Sequence, residues 1–191
     1  MWSVSLLVLG SLPFVSGQSL RPAPVSCNAA FSAPCARTNS LYLTTATIQA
    51  FQDMQGPEDD KLERFLEQIN LGEHNLSIGF YPFVFDGNGT NVAHGDNPDW
   101  VGLSLREIFI EVGVGFSDAE ALHVRFSQAA ESGGGWVQYL WSDQQDEEHG
   151  GVTINSKMAY VAMLTSDHYL GVGYENQRLP PDLPCSAEFN S

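Results

Sequence analysis

The sequence predicts an α+β fold in which helices precede and interrupt an antiparallel β-sheet. Between residues 39 and 72, the apolar residues follow helical spacing. From Leu76 onward, runs rich in β-branched and aromatic residues alternate with turns rich in Gly and Asn. The last two of these runs are joined by a short connector at 165–167, which favours an antiparallel hairpin.

Two helices are predicted before the first strand. Asn39 or Ser40 is placed to cap a helix whose apolar positions continue to Met54. Pro57 suits the start of a second helix, because acidic residues fill the next turn, where the helix dipole favours negative charge. Gly72 is predicted to end this second helix.

Five strands and two more helices follow along the chain. The predicted strands are Ile78–Phe85, Thr90–His94, Trp136–Trp141, Val152–Leu164 and His168–Tyr174. Asp86–Gly89 has the composition of a hairpin turn, and a polar loop occupies 95–100. A short helix is predicted over 103–110, and a longer one opens at a capping-box pattern, Ser117–Glu120. An acidic loop, 142–151, separates the third and fourth strands.

The composition favours a globular chain that does not bind nucleic acid. The chain has 191 residues, 43% of them hydrophobic, which suffices for one domain with a sizeable core. Eight basic residues stand against 23 acidic ones, so the formal net charge is −15. A field of this sign repels phosphate backbones.

The N-terminal segment 1–17 has the features of a secretory signal peptide. An apolar run begins at Val4, and the small residues Ser16 and Gly17 follow it. The alternative is an uncleaved anchor or a buried helix, although Pro13 interrupts the run. No later segment is apolar enough to predict a membrane span. We therefore expect a secreted protein or one on the extracellular face of the plasma membrane.

Two further patterns, N-glycosylation acceptors and paired cysteines, are informative in an exported protein. Asn75 and Asn88 each open an Asn-x-Ser/Thr acceptor for N-glycosylation. Cys27 and Cys35 are predicted to form a disulfide that constrains an irregular extension over 18–37. The third cysteine, Cys185, has no assigned partner in this prediction.

The C-terminal segment 177–191 has two interpretations. Cys27 and Cys185 both open the pattern Cys-x-Ala-x-Phe, so the tail is either the start of a second repeat or a plain tail. In the second case Cys185 pairs with Cys27 or Cys35.

Four sequence blocks occur in a recognisable order. They are Asp-x-x-Gly at 86–89 with Ala-His-x-x-Asn-Pro-x-x-x-Gly at 93–102, Gly-Gly-Trp-Val-x-Tyr-x-Trp at 134–141, Lys-x-x-Tyr-Val at 157–161, and Gly-x-Gly-Tyr at 171–174. Together they resemble the extracellular Cache sensor domain family over roughly 78–176. The resemblance implies a PAS-like antiparallel five-stranded sheet with a long N-terminal helix, in a ligand-binding domain that spans 38–176. It also implies a place in a larger receptor or multi-module secreted protein.

The resemblance also implies a pocket between one face of the sheet and the loops over it, with the loop His94–Trp100 as its lid. Alternation along the third strand puts Tyr139 and Trp141 on one face, where they suit a small organic ligand. Lys157 and Arg106 are candidate partners of a carboxylate. The remaining candidate ligand-binding residues are His94, Tyr160, Tyr81 and Trp136.

Each candidate also has a structural interpretation. Tyr139 and Trp141 are alternatively core residues packed against the N-terminal helix. Lys157 is alternatively a solvated residue paired with an acid of the 142–151 loop. Arg106 is alternatively a surface residue, and His94 alternatively caps a turn.

No pattern of an active site or a metal site is evident. The histidines are scattered without ligand spacing, and no serine stands in a nucleophile elbow. We therefore expect neither an enzyme nor a cofactor or metal. The predicted function is an extracellular sensor of a small organic ligand, of the amino acid or carboxylate class, with a tandem module or dimer partner in the larger protein. The competing hypothesis is a secreted structural or adhesion module of the same fold with a filled pocket.

Overall fold

The computed structural model describes residues 33–76, 79–112, 117–143 and 153–178. The helices are α1 (Ala33–Asp53), α2 (Glu58–Asn70), α3 (Leu105–Glu111) and α4 (Ser117–Glu131), with a 3₁₀ turn at Pro98–Trp100. The strands are β1 (Pro82–Asp86), β2 (Asn91–His94), β3 (Gly135–Asp143), β4 (Thr153–Met163) and β5 (His168–Arg178). The signal-like segment, Cys27, Cys185, most of the acidic loop and the C-terminal tail lie outside these ranges.

The strands form one antiparallel sheet in the order β2-β1-β5-β4-β3. β5 is central, so the last of the described strands pairs with the first, β1, on one side and with β4 on the other. The β4–β5 hairpin closes with a hydrogen bond from the Leu164 N–H to the His168 carbonyl, 2.8 Å long. The predicted α+β class with a five-stranded antiparallel sheet is confirmed.

Helices cover both faces of the sheet, because side chains alternate along each strand. Val84 and Leu170 face α1 and α2, where Phe51 and Phe65 are buried against them. Residues of the opposite parity face α3 and α4, where another cluster forms; its members include Phe83, Phe85, Ile108, Phe109, Leu122 and Phe126. None of the helices in the described ranges is long and apolar enough to cross a bilayer.

Helix α1 begins at Ala33, so the prediction that Asn39 or Ser40 caps it is wrong. Both residues lie inside the helix and are fully buried. One turn further on, the Thr44 hydroxyl lies 2.9 Å from the Ser40 carbonyl and 3.3 Å from the Tyr160 carbonyl of β4. The polar side of α1 therefore faces the sheet. Packing against the sheet, which the local sequence does not reveal, thus overrides the capping preference of these residues. Cys35 of α1 is disulfide-bonded.

The other helix boundaries follow local chemistry more closely. α2 begins directly after Pro57, as predicted, and Gly72 follows its end with a φ of +74°. α3 begins after Ser104, which forms a capping box with Glu107 that the sequence analysis missed. The two hydrogen bonds from Ser104 lower the pKa of Glu107.

Strand β1 starts later than predicted. Phe80 makes only an isolated bridge with Leu76, and Gly79, directly before it, lies in a turn with a φ of +85°. β1 itself runs from Pro82 to Asp86. The strand was predicted to begin too early because its aromatic residues start before Pro82. The turn at Gly79 needs a positive φ, which glycine adopts readily and which ends strand geometry there.

Replacing Gly171 by Ala is expected to destabilise the fold by about 1–3 kcal/mol, the usual cost of overpacking. A Cβ there would overlap the Phe83 ring and lie 2.8 Å from a Val161 methyl carbon. The backbone has little room to shift, because β5 is hydrogen-bonded on both sides. Urea unfolding measures the loss.

The matched control is Gly173→Ala on the same strand. Its Cβ would meet the Tyr139 hydroxyl at 3.1 Å, and this side chain borders open space into which it can move. A loss of stability as large as that of Gly171→Ala would contradict the packing argument.

Candidate ligand-binding site

A cavity of about 340 Å³ lies between the sheet and helices α3 and α4. Among the described residues, its walls come from the start of β1, the end of β2, the centres of β3, β4 and β5, and the inner faces of α3 and α4. The lining residues are Gly79, Phe80, Tyr81, Phe83, Phe85, His94, Trp100, Leu105, Ile108, Leu122, Phe126, Tyr139, Trp141, Lys157, Gly173 and Tyr174. A cavity of this size is in the usual range for small-molecule sites.

Strand β3 turns Tyr139 and Trp141 toward this cavity. The Tyr139 ring lies 5.5 Å from that of Phe126, and the Trp141 ring lies 5.9 Å from that of Phe109, centroid to centroid. Both partners belong to the helices on the cavity side of the sheet. The alternative, in which the two aromatic residues pack against the N-terminal helix, does not describe this structure.

Lys157 is the only described lining residue with a permanent charge. It lies opposite Tyr139 in the β3–β4 register. Its Nζ is 4.6 Å from the centroid of the Trp141 ring, a cation–π contact that orients the ammonium group.

His94 serves both the loop and the cavity. Its Nδ1 accepts hydrogen bonds from the backbone N–H groups of Asn97, at 2.8 Å, and Asp96, at 3.3 Å. This arrangement assigns the proton to Nε2. Burial, and secondarily the charge of Lys157, lower the pKa of His94 to about 3, so the ring is neutral at physiological pH. The turn-capping role and the cavity-lining position therefore occur together.

Trp100 brings the end of the 95–100 loop against the sheet. Its ring lies 4.8 Å from that of His94 and 5.5 Å from that of Trp141. Its Nε1 donates a hydrogen bond of 3.2 Å to the Glu111 carboxylate of α3. The Trp100 indole of the loop thus contacts Trp141 of β3 and is hydrogen-bonded to Glu111 of α3.

Two phenols complete the polar part of the cavity. The Tyr81 ring lies 5.1 Å from that of His94. Burial, with Tyr81 as a smaller cause, raises the pKa of Tyr139, so its hydroxyl stays protonated and can donate a hydrogen bond.

The structure is similar to solved sensor domains. A Cache chemosensory domain, whose structure explains carboxylic acid recognition, matches with a TM-score of 0.50 and 16% identity, over 70% of this chain and 86% of that one. The fold is that of a Cache domain. Two further similar structures are a methyl-accepting chemotaxis protein from Vibrio parahaemolyticus and the periplasmic sensor domain of a chemotaxis protein. Their TM-scores are 0.49 and 0.47, their identities 17% and 20%, and they match over 71% of this chain and 82% and 86% of their own. No family model and no curated protein matches the chain.

Three of the sequence candidates lie away from the cavity of this Cache fold. Trp136 and Tyr160 stand on the opposite face of the sheet, with ring centroids 5.2 Å apart. The Arg37 guanidinium of α1 lies over Trp136 at 4.8 Å. Arg106 is exposed on α3, as its structural interpretation anticipated. Tyr81, His94, Tyr139, Trp141 and Lys157 are the candidates that the fold brings together.

The apolar wall of the cavity was not among the predicted site residues, and Trp100 was predicted only as the end of the covering loop. The alternation that places Phe83 and Phe85 on one face of β1 was readable, as was the helical spacing of Leu122 and Phe126. The missing information is distance: the same residues line a cavity or fill a core, depending on how far α3 and α4 stand from the sheet.

The two glycosylation acceptors lie outside the cavity. Asn88 is exposed in the β1–β2 turn. Asn75 is also exposed, and its side-chain amide donates a hydrogen bond of 2.7 Å to the Gly95 carbonyl. Across the described ranges, no three His, Cys, Asp or Glu side chains are gathered as metal ligands would be.

The low pKa of His94 predicts acid-dependent stability. A histidine in the unfolded chain titrates near 6.5, whereas His94 in the fold titrates at about 3. The stability that neutral His94 contributes is complete above pH 6.5 and is lost as the pH falls toward 3, by at most about 1.4 kcal/mol per pH unit.

Urea unfolding of the wild type and His94→Gln between pH 7 and pH 4 isolates this contribution, because all other titrating groups are shared. We expect the stability difference between the two proteins to shrink as the pH falls. A constant difference across this range would contradict a buried neutral His94.

Proposed function

We propose that this chain is an extracellular sensor domain that binds a small organic anion in the cavity, with a carboxylate as the group it holds. The observation that carries the proposal is the placement of Lys157. Its ammonium group lies over the Trp141 ring on the wall of the cavity, opposite Tyr139 and close to the neutral His94 ring. A cation partly removed from water attracts an anion more strongly than one on the surface.

Several neutral donors surround that cation. His94 keeps its Nε2 proton because its Nδ1 accepts two backbone hydrogen bonds. Tyr81 and Tyr139 both contribute phenol side chains to the lining, and burial keeps the Tyr139 hydroxyl protonated. A carboxylate carries one negative charge and accepts up to about four hydrogen bonds. One cation and several neutral donors can therefore balance its charge and satisfy its hydrogen-bond acceptors. In this proposal the ligand-binding residues are Tyr81, His94, Tyr139, Trp141 and Lys157.

The fold supports a sensor in preference to the alternatives. A structurally similar Cache chemosensory domain recognises carboxylic acids. The signal-like segment 1–17 and the exposed acceptor Asn88 agree with an extracellular setting, in which Cys27 is the proposed partner of Cys35. A structural module with a filled pocket is less well supported, because a cavity of about 340 Å³ is open.

A physical link connects the cavity to the N-terminal helix. β4 carries Lys157 on the cavity face, and three residues further on the Tyr160 carbonyl meets the Thr44 hydroxyl of α1 at 3.3 Å. A ligand that shifts β4 therefore acts directly on α1. We propose this strand as the route by which occupancy reaches the larger receptor or multi-module protein.

Replacing Lys157 by Met is expected to weaken carboxylate binding by about tenfold or more, because a hydrogen bond to a charged group contributes about 1.5–3 kcal/mol. Isothermal titration calorimetry against a panel of aliphatic and aromatic monocarboxylates, with amines of matched carbon skeleton, measures the effect.

The matched control is Arg106→Met, which removes the same charge from an exposed position outside the cavity. We expect its affinities to stay within about twofold of the wild type, after screening of the exposed charge by salt. Equal losses in both variants would show a general effect of net charge and would refute the Lys157 site, as would tighter binding of the amines.

A further inference from the structure

The loop over residues 95–100, here called the covering loop, is hydrogen-bonded at its base to the end of helix α2 and the turn that follows it. The Asn75 Nδ2 donates a hydrogen bond of 2.7 Å to the Gly95 carbonyl. One residue earlier, the His94 backbone N–H donates to the Asn70 Oδ1 at 2.9 Å. Two asparagine side chains therefore join α2 to the start of the covering loop.

The turn that carries Asn75 is itself held in place. The Asn75 backbone N–H donates a hydrogen bond of 3.0 Å to the Gly72 carbonyl. The preceding residue, His74, places its ring 5.0 Å from that of Phe65, and Phe65 is fully buried in the α2 layer. Because the backbone of Asn75 is tied to this core, its side chain presents a fixed donor to the loop.

The Asn75 amide also fits closely against the loop. A Cβ at Gly95 would overlap the Asn75 Oδ1 and would lie 3.1 Å from the Tyr81 Cβ. On the other side, a Cβ at Gly72 would lie 3.1 Å from the Asn75 Nδ2. The amide thus lies between two glycines, and packing as well as the hydrogen bond fixes its position.

The position of Gly95 affects residues that line the cavity. The next two backbone N–H groups, those of Asp96 and Asn97, donate to the His94 Nδ1. The loop then enters the 3₁₀ turn that ends at Trp100, and both His94 and Trp100 are lining residues. A shift of the backbone at Gly95 therefore moves the loop and its indole relative to the cavity.

From these contacts we infer that Asn75 is a positioning residue of the cavity: its side-chain amide fastens the covering loop to α2 and so sets where Trp100 lies. The sequence predicts Asn75 only as a glycosylation acceptor, and the proposed anion site does not include it. The inference does not depend on the ligand, because the covering loop lies at the cavity whichever compound binds there.

Hydrogen exchange, followed residue by residue by NMR on the full chain without ligand, tests this anchor. Asn75→Asp keeps the size of the side chain but replaces the N–H donor by a carboxylate oxygen, which repels the Gly95 carbonyl. We expect the Asp96 and Asn97 amides and the Trp100 indole N–H to exchange about threefold to tenfold faster, the range for loss of one hydrogen bond.

The matched control is Asn88→Asp, which makes the same change of charge at the other glycosylation acceptor, exposed in the β1–β2 turn. Its loop exchange rates should stay within about twofold of the wild type, because salt screens an exposed charge. The Leu164 amide, bonded within the β4–β5 hairpin, reports general destabilisation and should not change in either variant. Unchanged loop exchange in Asn75→Asp, or an equally large rise at Leu164, would overturn the inference.

A double-mutant cycle tests whether the effect passes through the contact between the two residues. Gly95→Ala displaces the Asn75 amide and should raise the same exchange rates, whereas in the Asn75→Ala background the overlapping oxygen is absent. We expect the rise caused by Gly95→Ala to be at least about twofold smaller in that background. Additive effects would show that residues 75 and 95 act independently on the loop, and the anchor would then be rejected.

Discussion

The pairing of β1 with β5 is the contact on which the rest of this structure depends. It joins the strand that begins at Pro82 to the strand that begins at His168, across almost half of the sequence. This pairing places the Phe83 ring over Gly171. Any other residue at position 171 would carry a Cβ that overlaps the ring. It also completes a sheet whose other half carries Tyr139, Trp141 and Lys157. Without it, the aromatic wall and the cation would belong to separate hairpins, and no cavity would lie between them.

The sheet separates two kinds of burial. On the α1 and α2 face, aromatic rings and even polar helix residues are buried in one cluster, and the Arg37 guanidinium lies over Trp136. On the α3 and α4 face, equally hydrophobic residues surround open volume. The difference arises at the sheet surface, where Gly173 leaves space beneath the Tyr139 hydroxyl and the Trp100 loop covers one edge. Ligand binding is therefore proposed on the face with space, and signal output on the face that is tightly packed.

The sequence predicted this fold where local chemistry decides it. Strand alternation correctly separated Tyr139 and Trp141 from Trp136, and Pro57 marked the start of α2. Prediction failed where tertiary packing decides: Asn39 and Ser40 resemble caps but are buried inside α1, and Arg106 near the loop points away from the cavity. The apolar wall was not predicted as a site, because a cavity-lining phenylalanine and a core phenylalanine have the same sequence signature. Only the distance between layers separates them, and no local pattern encodes it.

The two-sided use of the His94 ring has a consequence for how the domain responds to an occupant. Hydrogen bonds in series polarise one another, so an anion that accepts a hydrogen bond from Nε2–H makes Nδ1 a stronger acceptor. Nδ1 holds the backbone of Asp96 and Asn97. Occupancy would therefore tighten the covering loop through one aromatic ring, without any contact between the ligand and the loop backbone. In the proposed sensor the imidazole would act as an electronic relay, and a ligand that accepts this hydrogen bond would hold the loop more firmly than one that does not.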